Sequence, residues 1–252
     1  MKNWKEFWEN FWVAYPEKAG DTQYFEQVGK TIHGVPISPQ QYDSLIDDVE
    51  KMLALNEHDH VLDLCCGNGL ITSEIAKKCS NVVGVDFSEV LIRRAKENKQ
   101  SPNIEYLQMD ARKIRNLSDE YQGYFTKVLW YEALAFFDKK DLREILDAIK
   151  TITTNDALIL IGSVLDAERK WNFFNTLGRK FNYIVNIVLL GREVGLGKWW
   201  KRKEIEETCN QLGFKYEFHY QNKILHTAHY RIDIKLSRRE AAMPVLLSLN
   251  QI

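Results

Sequence analysis

Apolar positions along the chain switch between two periods. Short apolar runs recur at Val61-Leu62-Asp63-Leu64, at Asn81-Val82-Val83-Gly84-Val85-Asp86, and over residues 104–111, 124–130 and 157–163. Each reads as a strand buried on both faces. Helical spacing fills the gaps: Ile71, Ile75 and Ala76; Val90, Leu91 and Ala95; then Leu142, Ile145, Leu146 and Ile149. Strands that alternate with helices predict an α/β sheet with parallel strands. Ahead of this core, Trp4, Phe7, Trp8, Phe11, Trp12 and Tyr15 recur at three- and four-residue steps and predict one helix, expected to end at Pro16. Residues 40–55 predict a second helix with Leu45, Ile46, Val49, Met52 and Leu53 inward. After the fifth strand, Trp171, Phe173, Phe174, Leu177, Phe181, Ile184, Val185, Val188 and Leu189 fit one or two amphipathic helices, followed by Gly191, Gly195 and Gly197. Residues 203–212 read as a helix closed by Gly213. Residues 214–220 and 229–236 alternate as two strands of a closing antiparallel hairpin.

These elements divide the chain into a helical N-terminal cap (1–57), a core domain (58–238) with a lid-like insertion (166–200), and a tail (239–252). The packing of the N-terminal aromatic face on the core is the first expectation. A lid or a homodimer surface is the functional alternative.

The candidate chemistry lies at the strand tips. Asp63, Cys65, Cys66, Gly67, Asn68 and Gly69 form an acid followed by a tight glycine loop that opens a helix, a cradle suited to a nucleotide. Asp86 ends the second strand 23 residues after Asp63, where a carboxylate can accept both hydroxyls of a ribose. Phe87 follows, then Ser88, a candidate helix N-cap. Asp110 and Ala111 close the third strand, and Trp130, Tyr131 and Glu132 stand at the tip of the fourth.

This order of markers resembles the class I S-adenosylmethionine (SAM) methyltransferases, whose pattern is an acid followed by Gly-x-Gly-x-Gly. The resemblance covers about residues 58–236 and is strongest over 61–137. It implies a Rossmann-like, doubly wound, seven-stranded and mostly parallel sheet ending in an antiparallel hairpin, with SAM as cofactor. It places Asp63 and the loop residues Cys65, Gly67, Asn68 and Gly69 at the methionine end of SAM. Asp86, Phe87 and Ser88 fall at the ribose, Asp110 and Ala111 at the adenine, and Trp130 beside them. Cys65 stands at the family's first glycine, and its side chain is expected to fit with φ below zero. Tyr131 and Glu132 fall where the methyl acceptor sits in relatives and are the first catalytic candidates. His33 is next, with His226 and His229 as further bases. A dinucleotide dehydrogenase frame would place Thr72 at its third glycine and leaves Asp63 without a cation, so an NAD-dependent oxidoreductase is the weaker reading. A non-catalytic SAM-binding protein is the other alternative.

Composition narrows the partners. The chain has 252 residues, 45% hydrophobic and 27% charged, with a net charge of −1, so no global field gathers nucleic acid. Cys65, Cys66, Cys79 and Cys209 make no disulfide framework, and no zinc spacing surrounds them, so no metal is expected. No signal peptide is visible and no apolar run approaches the ~20 residues that span a bilayer, so a cytoplasmic protein is expected. Gly29-Lys30-Thr31 resembles the end of a phosphate loop, but Tyr24 stands where that motif needs glycine. Lys198-Trp199-Trp200-Lys201-Arg202-Lys203 reads first as a solvated helix start paired with Glu204, Glu206 and Glu207, with a grip on an anionic or nucleobase group by charge and stacking as the alternative. No Asn/Asp-Pro-Pro-Tyr/Phe tetrapeptide of base or glutamine amino-methylases appears. A small-molecule methyl acceptor is therefore expected and nucleic acid is not.

Overall fold

The computed structural model describes residues 4–191 and 196–239. Gly195, the side chain of Trp4 and the tail beyond Arg239 lie outside the described residues. The chain runs α1 (Trp4–Lys18), α2 (Tyr24–Gln27), a two-residue hairpin of β1 (Thr31–Ile32) and β2 (Val35–Pro36), and α3 (Pro39–Leu53). The core follows as β3 (His60–Leu64), α4 (Thr72–Ile75), β4 (Asn81–Asp86), α5 (Glu89–Asn98), β5 (Ile104–Gln108), α6 (Ser118–Tyr121), β6 (Phe125–Tyr131), α7 (Lys139–Ile152) and β7 (Thr153–Leu165). The insertion carries α8 (Lys170–Phe173) and α9 (Leu177–Asn182), and α10 (Arg202–Leu212), β8 (Phe214–Tyr220) and β9 (Arg231–Arg238) close the fold. Two 3₁₀ segments, Ala111–Leu117 and Leu134–Phe136, follow the tips of β5 and β6.

Seven strands form one sheet in the order β5-β4-β3-β6-β7-β9-β8. The first five are parallel, and β9 inserts antiparallel between β7 and β8. Because strands alternate sides, Leu62, Leu64, Val83, Val85 and Trp130 pack under α7 and α10, while Val61, Val82 and Leu129 pack under α3 and α5. Both faces are therefore dry, which is what the continuous apolar runs require. The doubly wound sheet and its antiparallel hairpin agree with the sequence expectation.

Several boundaries shift by one or two residues, as β9 does from 229–236 to Arg231–Arg238, and three differ for a visible reason. Helix α1 continues through Pro16 to Lys18. A proline deprives the carbonyl four residues earlier of its donor, and here Ser88 Oγ donates to the Trp12 carbonyl at 3.0 Å. Arg94 further holds this end by donating to the Pro16 and Ala19 carbonyls. Strand β5 stops at Gln108 because Asp110 turns to cap the next segment, accepting from the Arg112 N–H at 2.9 Å. Strand β7 starts at Thr153, four residues before its apolar run. Gly213 does close α10 in the left-handed region. Among the described residues no helix is long and apolar enough to cross a membrane.

Candidate functional site

The carboxyl ends of parallel strands are where ligands bind in open α/β sheets, and the predicted residues meet there. The loop after β3 turns at Cys65 (φ 62°), Gly67 (φ 58°) and Gly69 (φ 76°). Cys65 thus adopts the left-handed conformation of the glycine it replaces, contrary to the expectation of a negative φ. That costs a non-glycine residue about 1–2 kcal/mol. A Cβ on Gly67 would meet Val28 Cγ1 at 3.0 Å, so the second loop position has no room for a side chain. The Gly67 N–H donates to Asp86 Oδ2 at 3.0 Å, and the Ser88 N–H donates to Asp86 Oδ1 at 2.9 Å. One carboxylate therefore fixes both the loop and the start of α5.

Burial pushes Asp86 up to about 6, against the lowering effect of those backbone donors. Burial also pushes Asp63 up to about 7, although the Thr72 hydroxyl donates to it at 2.6 Å. Two buried carboxylates held so far above their usual range favour a cation between or beside them. The Cys65 and Cys66 thiols are raised by burial, so neither is a ready thiolate.

At the tip of β6, Glu132 (φ 58°) faces Ser163 (φ 59°) across a bulge in β7. Two left-handed non-glycine residues at one spot mark a conformation the surroundings impose. Ser163 Oγ donates to Glu132 Oε1 at 3.3 Å, Lys30 Nζ donates to Glu132 Oε2 at 2.7 Å, and Arg231 Nη1 lies 3.6 Å from Oε1. Burial alone would raise Glu132, but Lys30 and Arg231 outweigh it and hold it down at about 2. The Tyr131 hydroxyl accepts from Gln221 Nε2 at 3.3 Å, and burial with Asp233 and Glu132 nearby raises it well above its usual range. An ionised, doubly paired carboxylate and a protonated phenol are poor proton acceptors at neutral pH.

Together these tips line a cleft of about 1020 Å³, counted with its open mouth. Of the predicted residues, Cys65, Gly67, Asn68, Asp86, Phe87, Asp110, Ala111, Tyr131 and Glu132 line it. Five do not. Asp63 lies buried behind the loop against Thr72, and Gly69 packs against Tyr106. Ser88 is used as the α5 cap, accepting from the Leu91 N–H. Trp130 is fully buried in the core against Phe137 and takes no part in the cleft wall. His33 (φ 52°) sits exposed with Gly34 in the two-residue turn between β1 and β2, a turn that demands positive φ at both positions. His226 is half-buried, lowered by burial, and also outside the cleft wall.

The sequence reading missed Lys30, Val28, Arg112, Phe136 and Phe137, which complete the wall. It passed over Lys30 when it rejected the phosphate loop, and no local pattern pairs it with a carboxylate 102 residues away. The cover also differs. Trp8 and Trp12 of α1 line the cleft and pack on Phe136 at 4.6 and 5.6 Å, whereas no described residue of 166–200 lines it. The insertion instead braces the wall from behind: the Lys198 N–H donates to the Ala135 carbonyl and Trp200 Nε1 to the Leu134 carbonyl. Lys198 pairs with Glu204 at 3.0 Å as a helix start would, but Trp200 is buried, so this stretch is packed into the fold and not solvated throughout. Asn68 Nδ2 donates to the Tyr24 carbonyl and to Gln27 Oε1, which ties the cap to the loop, while its Oδ1 is buried without a partner.

A five-stranded parallel half closed by an inserted antiparallel strand, with a glycine loop and acidic strand tips around one cleft, defines a class I methyltransferase fold. Residues 61–156 match the family model of a methyltransferase domain. Over these residues the chain is similar to methyltransferase domains, and its sheet has their fold. Among known proteins it is similar to an uncharacterised methyltransferase of Schizosaccharomyces pombe, 42% identical over 53 residues, 21% of this chain and 20% of that one. It is also similar to the 23S rRNA (uracil(1939)-C(5))-methyltransferase RlmD of Aliivibrio fischeri, 32% identical over 90 residues, 34% of this chain and 20% of that one. The chain spans about a fifth of the length of these curated relatives. Among solved structures, a magnesium protoporphyrin IX methyltransferase from Synechocystis with bound SAH (S-adenosylhomocysteine) shares the fold, with a TM-score of 0.60 at 13% identity over 94% of this chain and all of that one.

Proposed function

We propose that this chain transfers the methyl group of SAM to a small-molecule acceptor in the cleft under α1. The observation that carries the reading is the pair of buried carboxylates raised to about 7 and 6, Asp63 behind the glycine loop and Asp86 holding the Gly67 N–H. Such a site gains most from a ligand that brings both positive charge and hydroxyl donors, and SAM brings both. Asp86 would take the ribose and the loop the methionine end, with Asp63 acting from behind the loop through its charge. Asp110 and Ala111 would border the adenine. Bound SAM supplies an electrophilic methyl carbon on a sulfonium.

The chain's own residues then orient and exclude water. Trp8, Trp12, Phe136 and Phe137 make one half of the cleft aromatic, which suits an apolar or aromatic acceptor. Tyr131 and Glu132 stand at the acceptor side, where they position rather than deprotonate, given their protonation states. Orientation alone can supply on the order of 7–11 kcal/mol in such displacements. Transfer would leave the sulfur its electron pair, and any proton lost by the acceptor would pass to solvent, since neither Tyr131 nor Glu132 would take it.

A small acceptor is favoured over RNA because the two cations in the cleft wall, Lys30 and Arg112, are paired with Glu132 and with Asp110 and Asp141. Within the cleft wall they leave no unpaired cation to grip a phosphate backbone. The test incubates the purified chain with methyl-labelled SAM and a cell extract split by size filtration. Label in the small-molecule fraction is expected. Label carried by nuclease-sensitive polymer would overturn the acceptor class. Asp86→Ala is expected to weaken SAM binding by roughly 1–3 kcal/mol, the cost of unpaired buried hydroxyls, and unchanged affinity would remove Asp86 from the site.

A further inference from the structure

Of the eleven large apolar side chains that stand exposed among the described residues, seven fall in residues 171–190. Surface apolar residues scattered singly need no explanation, but a contiguous set does. Here α9 runs on directly into a π-helical stretch, Tyr183–Leu189, and no residue of 175–190 is buried. Leu177 is 86% exposed, Phe181 70% and Leu189 70%, with Ile184, Val188 and Leu190 beside them. A helix that serves only as a solvated connector has no use for such a face.

Charge identifies what covers it. From residue 169 to 192 the sequence holds Arg169, Lys170, Arg179, Lys180 and Arg192 and no Asp or Glu, in a chain of net charge −1. Lys170 and Lys180 lie over the Trp171 ring at 4.9 and 5.9 Å, and Lys170 also donates to the Tyr183 hydroxyl. Among the described residues no carboxylate pairs with Lys170, Arg179 or Lys180. A second copy docking through this face by two-fold symmetry would set these cations against their own images with no acid to offset them. An anionic lipid surface offers both the apolar phase and the opposite charge, and Trp, Phe and Leu flanked by Lys and Arg are what an interfacial helix presents. The helical run Leu177–Leu189, at about 1.5 Å per residue, falls well short of a ~30 Å hydrocarbon core, so the segment can lie on a bilayer and not span it.

We propose that the exposed face of residues 171–190 docks this protein on anionic membrane surfaces. The insertion leaves the sheet after Leu165, at the end where the cleft opens, and the proposal is independent of what the cleft methylates. The test is co-sedimentation of the full chain with vesicles of equimolar phosphatidylglycerol and phosphatidylcholine, against vesicles of phosphatidylcholine alone. Binding to the anionic vesicles only, weakened by added salt, is expected. Phe181→Asp with Leu189→Asp should abolish it at an unchanged melting temperature, since both side chains are exposed. Arg179→Ala and Lys180→Ala should each weaken it roughly fivefold. Absence of binding to anionic vesicles would overturn the proposal, as would binding that survives the double aspartate variant. So would a dimer in light scattering that dissolves in that variant while no vesicle binds.

Discussion

The ion pair between Lys30 and Glu132 links the N-terminal cap to the tip of β6, and its strength can be worked from the structure. The Lys30 side chain is 6% exposed and that of Glu132 29% exposed, with 2.7 Å between Nζ and Oε2. Glu132 is held at about 2 against an ordinary 4.5, with burial opposing and Lys30 the larger of the two favourable charges. At about 1.4 kcal/mol per unit, the charged form is favoured by about 3 kcal/mol. Arg231, 3.6 Å away, keeps part of this, so Lys30→Met should cost about 2 kcal/mol. Glu132→Gln strands the buried ammonium and should cost a similar amount. The double variant removes both charges and should be less destabilised than the sum of the singles by about 2 kcal/mol. Urea denaturation of the four proteins reads this directly. The pH dependence supplies a second reading. A carboxylate depressed in the folded state gives stability that is present above its unfolded value and lost as pH falls through its folded value. The gap between wild type and Lys30→Met should therefore close between pH 4.5 and about 2. Additivity within about 0.5 kcal/mol at neutral pH would refute the reasoning.

Three further outcomes are expected. Gly67→Val should abolish SAM binding, because its side chain would collide with Val28 and its φ of 58° is strained for a β-branched residue; a titration like that of wild type would remove the loop from the site. Cys65→Gly relieves about 1–2 kcal/mol of left-handed strain and adds about 0.5–1 kcal/mol of unfolded-state entropy, so its stability should match or slightly exceed wild type with binding kept; a loss above about 2 kcal/mol in denaturant would contradict the strain. The raised carboxylates Asp63 and Asp86 make the ligand-free protein lose stability as pH climbs through about 6 and 7, because the folded state holds the extra protons; SAM affinity should rise over the same window with release of protons, and calorimetry in buffers of different ionisation enthalpy detects this as a buffer-dependent heat.

Strands buried on both faces announce themselves by apolar runs and a half-buried edge strand by alternation, which is why 81–86 and 214–220 agree with β4 and β8 residue for residue. The acids were legible because a charged residue in or at the end of an apolar run stands out, although Asp63 and Asp86 stay within their strands and are buried there. Long-range contacts were not legible. The helix through Pro16 depends on Ser88, 76 residues away from the carbonyl it satisfies. Lys30 acquires its role only from Glu132 and Arg231, which other elements bring to it. The cover of the cleft was assigned to both aromatic segments, because amphipathicity shows that a face will be covered and not by what. The structure gives the cleft to Trp8 and Trp12 and leaves the face of the insertion open. Trp130 was placed at the cofactor by its position at a strand tip, but strand alternation turns its side chain into the core opposite Tyr131.

The central claim is that the cleft at these strand tips binds SAM. Isothermal titration of the purified chain with SAM, S-adenosylhomocysteine and NADH in parallel tests it most directly. Micromolar binding of both adenosyl ligands and none of NADH is the expected result. Binding of NADH alone, or of none of the three, would contradict it.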